Sequence, residues 1–399
     1  MRDPLAQPLF QLEGLHVRNY RVLRDVHLAD LTPLTVLVGP NASGKSTVLD
    51  GLSFLAECFD DGMDRAVRRR GGMHELRSRG ITAEPFGVRL EVGPGAGQAG
   101  ERLSYGIEID EEDGRPIVRR ERLSQVGQDG AILDYQRGHA VTVGAGASRG
   151  NGAMTSHSLA SPDTLALDAL GRFADAPEQI IRLRQFIRSW SVATFSEPAT
   201  RQSAARTPTA VLSPSGDNLP EVVAFIRAHH PDVFERIEDT LRRYVPLLQG
   251  IDVHRTADDD LTVLFKDRPF GVPVSGPAAS EGTVRLLACL IVLLGPEPPP
   301  LIALEEPEIF LSPRLLRELA EQYWMATSRT QLILTTHSPL FLFDLLPEQV
   351  RVLRRNGDGY TRAVCAADLP GIAEFMAEGA KIGDLWLEGH FEPVVSPTG

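Results

Sequence analysis

Near its N-terminus the chain carries Gly39-Pro-Asn-Ala-Ser-Gly44-Lys45-Ser46, a match to the spacing GxxxxGK[ST]. An apolar run over 34–38 precedes it and a stretch with helical apolar spacing over about 45–59 follows, so the sequence predicts a buried strand, a tight loop and a helix in succession. That succession suits phosphate chemistry. Glycines let backbone N–H groups curl around phosphate oxygens, and the helix N-terminus adds positive potential. Lys45 then reaches the β and γ oxygens of a bound ATP, and Ser46 ligates Mg2+. Gly39, Asn41, Gly44, Lys45, Ser46 and Thr47 are therefore the candidate nucleotide-binding residues. The competing reading is a plain glycine turn, but Lys45, Lys266 and Lys381 are the chain's only lysines, which makes one at this position telling.

A second constellation lies far downstream, where the apolar run 301–304 leads straight into Glu305 and Glu306. Ligands collect at the carboxyl ends of such strands. Glu305 reads as holding the magnesium shell through water, and Glu306 as orienting or deprotonating the water that attacks the γ-phosphate. A third strand-like run, 331–335, ends in Thr-Thr-His337. Its imidazole reads as a donor to the γ-phosphate or the departing product, whereas a histidine there with no other motif would read as a loop or capping residue.

The remaining chain bounds these readings. With 399 residues, 42% of them hydrophobic, it can bury a full core. Cys58, Cys289 and Cys365 form no CxxC pair, which excludes a zinc ribbon or disulfide framework and suits a reducing cytoplasm. The longest apolar run, 286–294, is too short to span a membrane, and neither a signal peptide nor a membrane partner is expected. A net charge of -12 argues against a uniformly basic nucleic-acid coat but leaves a local groove open.

Residues 12–18 and 22–28 are strand-like around the link Asn19-Tyr20-Arg21, and the stretches 86–92, 102–109, 116–123 and 131–143 suggest an antiparallel β-meander. The stretches 144–163 and 196–218 read as loops bracketing helices over 164–190, 219–228 and 232–248. A hairpin over 251–266 follows. Helices over 280–294 and 312–326 then alternate with strands over 301–304 and 331–335, which favours a parallel α/β sheet. The organisation expected is an N-terminal lobe 1–143, an inserted helical arm or lid 144–248, and a C-terminal lobe 249–399.

In their order along the chain these motifs resemble the ATPase heads of the ABC class, in particular the RecF and SMC type and the bacterial predicted ATPases of the AAA-family label. The resemblance implies an α/β P-loop NTPase with a mixed sheet, the antiparallel meander and the inserted arm. Val17-Arg-Asn-Tyr-Arg21 looks like the opening strand turn of such heads and places Arg21 near the nucleotide. Ser280-Glu281-Gly282-Thr283 looks like the signature, which implies that Ser280 and Gly282 grip the γ-phosphate of ATP held by the opposite protomer of a homodimer. Glu306-Pro307-Glu308 through Leu311-Ser312-Pro313 looks like the Walker B exit and D-loop, and His337 like the switch histidine.

The departures are Glu305 for the usual aspartate, Glu281 for the second signature glycine, Ala279 for the leading leucine and Ser312 for the histidine before the D-loop proline. They bear on rate more than on nucleotide binding. About 60 residues follow His337, which leaves no room for the Toprim nuclease of overcoming-lysogenization-defect proteins and implies a separate effector such as a nuclease. The function expected is an ATP-hydrolysing, dimerising switch in DNA metabolism, repair or phage defence. The alternative is a regulatory module that binds ATP with little hydrolysis. Arg65, Arg68, Arg69, Arg70, Arg77 and Arg79 are candidate DNA contacts, the other reading being a solvated arginine-rich surface.

Overall fold

The computed structural model describes residues 10–81, 84–95, 98–143, 154–159, 161–193, 195, 209–257, 259–268, 270–309 and 311–391. The chain forms two compact units, Met1–Trp190 with Leu346–Gly379 and Phe391–Gly399, and Ser191–Leu345 with Ala380–His390.

Alternating burial builds the larger sheet of the first unit. In Leu103–Glu112 the side chains of Leu103, Tyr105, Ile107 and Ile109 are buried, while those between them face outward. Strand Leu23–Leu28 pairs with Gln11–Tyr20, and Phe86–Gly93, Leu103–Glu112, Arg115–Gln125, Leu133–Gln136, His139–Val143 and Met154–Ser158 follow in antiparallel order. Helix Lys45–Asp60 buries Val48, Leu49, Leu52, Leu55 and Phe59 at three- and four-residue spacing. Phe54 on that helix meets Phe86 edge to face at 5.4 Å, and Phe59 meets Tyr105 at 6.3 Å. The fully buried strand Leu34–Val38 lies parallel to Val350–Arg355, which pairs antiparallel with Thr361–Cys365.

In the second unit, strand Leu301–Glu305 lies between Ser191–Ala193 and Gln331–Thr335, all parallel. Helix Glu281–Leu294 is apolar almost all round and nearly wholly buried, and helix Pro231–Tyr244 packs against it. The strands Leu248–Arg255, Leu261–Asp267 and Val274–Ser275 make a small antiparallel sheet. Gly383, in helix Ile382–Leu387, is required by close approach, because a Cβ there would meet the Pro339 carbonyl at 2.3 Å.

The mixed α/β architecture, the meander and the parallel strands are those expected. Four details differ. The stretch 131–143 is two strands that turn at Arg137–Gly138, both at positive φ. Met154–Ser158, in a stretch read as loop, is a strand; residues 144–153 and 160 of that loop, and 196–208 of the next, lie outside the described residues. Helix 164–190 divides into Ala166–Leu170 and Glu178–Arg188, which belong to the first unit, while Leu219–His229 and Pro231–Tyr244 belong to the second. The hairpin Val350–Arg355 and Thr361–Cys365 was not anticipated. Cys58, Cys289 and Cys365 are free, and no described helix is long and apolar enough to cross a membrane.

Candidate functional site

The phosphate-loop residues and Arg21 lie in the first unit; Ser280, Gly282, Glu305, Glu306 and His337 lie in the second. In the first unit the loop leaves the buried strand at Gly39 and enters the helix at Lys45, as the motif predicts. Gly39 has φ 147°, and a Cβ there would lie 2.0 Å from the Leu353 carbonyl oxygen, so only glycine fits. Gly44 has φ 104°, and its Cβ would meet Thr361 Oγ1 at 2.5 Å. That hydroxyl donates to the Ser43 carbonyl at 2.8 Å, so the closing hairpin braces the loop from behind.

Lys45 is buried, and its Nζ donates to the carbonyls of Gly39 at 2.9 Å and Pro40 at 3.2 Å. Ser43 Oγ is buried with no hydrogen-bond partner. A buried ammonium and an unpaired hydroxyl inside a glycine-hinged loop are the groups a phosphate would satisfy. Asn41 and Ser46 are exposed and Thr47 is half-buried, so Ser46 is open to a solvated cation.

The Asn19-Tyr20-Arg21 turn is built on two left-handed residues, Asn19 at φ 54° and Arg21 at φ 50°. Asn19 is buried and fixed by its side chain to the Ser78 amide and the Glu84 carbonyl. Arg21 reaches Asp50, on the helix that follows the phosphate loop, at 3.1 Å. Asp50 also accepts from Tyr20 Oη at 2.7 Å and Arg70 Nε at 2.8 Å. Arg70, one of the candidate DNA contacts, is thus a half-buried structural cation that also pairs with Glu57 at 2.7 Å. Arg65, Arg68, Arg69 and Arg77 each pair with a carboxylate as well, Asp61, Asp64, Asp61 and Asp110 respectively.

In the second unit Glu305 ends its strand opposite Thr335. Glu306 then turns the chain at φ 42°, left-handed and strained for a residue with a Cβ. Its amide donates to Thr335 Oγ1 at 3.0 Å, and its carboxylate lies 3.4 Å from His337 Nε2. The structure thus brings together the two residues read as catalytic. Glu308, buried, accepts from the Thr336 hydroxyl and from the His337 amide at 3.1 Å, and so fixes the histidine loop to the carboxylate turn. Burial pushes the Glu308 carboxyl above its usual range, and the Thr336 and His337 hydrogen bonds oppose that shift.

Ser280 stands at the N-cap position of helix Glu281–Leu294 with extended backbone and no side-chain capping bond and is exposed, while Gly282 is buried. One turn in, Arg285 donates to the carbonyls of Glu305 at 2.8 Å, Glu306 at 3.0 Å and Phe195 at 2.9 Å. Arg285, Thr335 and Thr336 were given no role by the sequence reading, and Glu308 only a place in the resemblance to the Walker B exit. A signal existed for Arg285, the one charged residue in an otherwise apolar helix after Glu281.

A family profile described as "AAA domain, putative AbiEii toxin, Type IV TA system" matches residues 34–140 and 161–343. Among solved structures, an SMC head bound to the C-terminal winged-helix domain of ScpA aligns with a TM-score of 0.52 at 14% identity, covering 88% of this chain and 96% of that one. A Pyrococcus furiosus SMC head with an extended coiled coil, bound to the C-terminal domain of ScpA, aligns at 0.49 and 13% identity, covering 92% and 100%. An SMC head from Thermotoga maritima aligns at 0.39 and 15% identity, covering 89% and 98%. No curated protein matches the sequence. The first of these likenesses shows the fold, which is similar to that of an SMC head.

Proposed function

The chain belongs to this AAA domain family, and from that premise we propose that it binds ATP with magnesium and hydrolyses it as a nucleotide-driven dimerising switch. The observation that carries the reading is the glycine-hinged loop Gly39–Ser46, with its buried Lys45 and unpaired Ser43 hydroxyl. In this reading Lys45 and the loop amides bind the β and γ oxygens, and Ser46 with Glu305 holds the magnesium shell. Magnesium, when bound, screens the charge of the phosphates. Glu306 accepts the proton of the attacking water, its position set by Thr335 and Arg285, and His337 donates to the γ-phosphate. Arg21 steadies the nucleotide side of the first helix through Asp50.

Ser280 and Gly282 complete the site of the opposite protomer, so closure of two chains follows ATP binding and opening follows hydrolysis. The family description names a toxin of a type IV TA system, which favours a role in defence; a separate effector such as a nuclease belongs to the same proposal, and DNA metabolism is the other setting of the switch. The stretch 144–248, whose described helices divide between the two units, is proposed to carry the change to a partner.

Calorimetry and sedimentation test this reading together. Lys45→Ala should weaken ATP binding at least tenfold, since a charged hydrogen bond to phosphate contributes about 1.5 to 3 kcal/mol. On the same scale, two signature contacts per dimer shift association by roughly two decades or more. The Glu306→Gln protein should therefore gain mass on adding ATP and magnesium, and adding Ser280→Arg should abolish the gain. Equal ATP affinity in Lys45→Ala would remove the phosphate-loop assignment. Unchanged mass would remove the trans site and leave ATP as a regulatory ligand.

A further inference from the structure

The outward face of the first unit's large sheet carries a second arginine-rich region, and it differs from the helical one in having few acidic partners. Strand register sets two adjacent rows across four strands. One row is His16, Arg89, Gly106 and Arg122; the other is Arg18, Gly87, Glu108 and Arg120. Together they line a groove of about 290 Å³. Among the lining residues four guanidinium groups accompany the single carboxylate of Glu108, while Asp25 and Asp134 stand opposite Arg18 and Arg122 on the flanking strands. Arg120 has only a distant acid, Asp134 at 3.9 Å, and His16 is paired with Asp25 at 2.6 Å. No carboxylate lies within ion-pair distance of Arg18, Arg89 or Arg122 among the described residues.

Local fields of this kind survive a negative net charge, because solvent screens the rest of the molecule beyond about 10 Å. The floor of the groove supports a ligand as well. Gly106 sits mid-strand with ordinary backbone, and a Cβ there would touch only the Arg89 side chain, at 3.7 Å or more. The fold therefore does not require glycine at 106. A strand-interior glycine weakens the sheet and often marks a place where another molecule comes close.

We infer that this groove binds the phosphodiester backbone of a nucleic acid. Arg18 and Arg120 stand three strands apart, about 14 Å at the usual strand spacing. A nucleic-acid strand carries one phosphate per about 3.4 Å of axis, so roughly four phosphates cover that span. A single small anion would engage only part of it. The lining residues are His16, four arginines, glycines, serines and Glu108 with two aliphatic side chains, and include no Phe, Tyr, Trp or side-chain amide, which favours charge contacts to phosphates over base stacking. The inference supplies a surface for the DNA setting of the switch and is independent of ATP chemistry, so its failure leaves the nucleotide reading standing.

The test is fluorescence anisotropy of a labelled 20-base-pair DNA duplex, and of the single strand of the same sequence, titrated with the full chain at several salt concentrations. Arg89→Glu with Arg122→Glu should weaken binding at least tenfold. It should also lower the slope of log affinity against log salt by about 2, one for each lost phosphate contact. Gly106→Val, which fills the groove with a good strand former and leaves the charge intact, should weaken binding too. Arg65→Glu with Arg68→Glu, on the self-paired helix, should change it less than threefold. Calorimetric ATP binding at the parent level reports that each variant is folded. If the parent binds neither DNA, if folded groove variants bind as it does, or if the helix pair matters as much as the groove pair, the inference fails. Capture of an acidic protein by the groove without DNA affinity would also overturn it.

Discussion

The phosphate loop and the carboxylate turn both leave the end of a buried strand through left-handed backbone, and they hold that backbone in opposite ways. At Gly39 and Gly44 the residue type removes the strain, and the neighbouring Leu353 carbonyl and Thr361 hydroxyl leave no room for a side chain, while Ala42 between them keeps a left-handed φ of 63°. At Glu306 the strain stays, on the order of 1 to 2 kcal/mol, and other side chains hold the shape: Thr335 binds the amide and Arg285 the carbonyl. A glycine at 306 would relax the backbone but carry no carboxylate. The first geometry is written in a local motif, the second in tertiary contacts.

The largest effect expected from this contrast is on turnover. Glu306→Gln keeps size and backbone and loses the carboxylate proposed as proton acceptor, so ATP binding should persist while phosphate release falls roughly 100-fold or more. Unchanged release would assign the base elsewhere and reduce the turn at 306 to a structural feature.

Arg285→Ala tests the side-chain half of the comparison. It removes three hydrogen bonds to backbone carbonyls, each charge-assisted, and frees the strained turn. A loss of about 1.5 to 3 kcal/mol should lower the melting temperature by several degrees. Because Arg285 acts through Glu306, kcat should fall about tenfold with KM for ATP little changed, and Arg285→Lys should restore little, since an ammonium cannot span three carbonyls. A matched loss in KM, or full rescue by lysine, would show that the guanidinium is not what sets the turn.

Legibility in the sequence follows the same division. The loop, its strand and its helix were readable from residue type and spacing alone, as were the meander strands whose apolar residues alternate. Arg285 was not assigned a partner because its acceptors, Phe195, Glu305 and Glu306, are 20 to 90 residues away. The hairpin over 350–365 was missed because Arg351 interrupts its apolar pattern. That side chain is only 3% exposed, with its charge satisfied by the carbonyls of Ala29, Asp30 and Glu348. Met154–Ser158 offered no apolar signal, since it is a mostly exposed edge strand of polar residues. The arginine pairs Asp61 with Arg65 and Asp64 with Arg68 were visible as four-residue spacings, and a surface that neutralises itself makes a poor phosphate contact.

The smallest expected effect asks whether side-chain-held turns are confined to the second unit. Glu121, in the first, is wholly buried and accepts from Tyr105 Oη at 2.8 Å and from the amides of Ala166 at 2.5 Å and Leu167 at 2.8 Å. It thereby ties helix Ala166–Leu170 to strand Arg115–Gln125. Burial raises its carboxyl to about 7, opposed by those hydrogen bonds and reinforced by the nearby Asp168 charge. The fold therefore favours the protonated acid. Its contribution to stability is complete below the unfolded value near 4.5 and is lost as pH rises through about 7. The span corresponds to at most about 3 kcal/mol. Glu121→Gln is neutral at every pH, but its NH2 cannot accept from a backbone amide, so it loses one of the three hydrogen bonds and should melt furthest below the parent at acid pH. The gap should narrow by a few degrees in melting temperature above pH 7. Calorimetric melting of both proteins from pH 4.5 to 8 decides the matter. Parallel curves would mean that Glu121 is ionised throughout, leaving the amide hydrogen bonds, not the proton, to hold the helix.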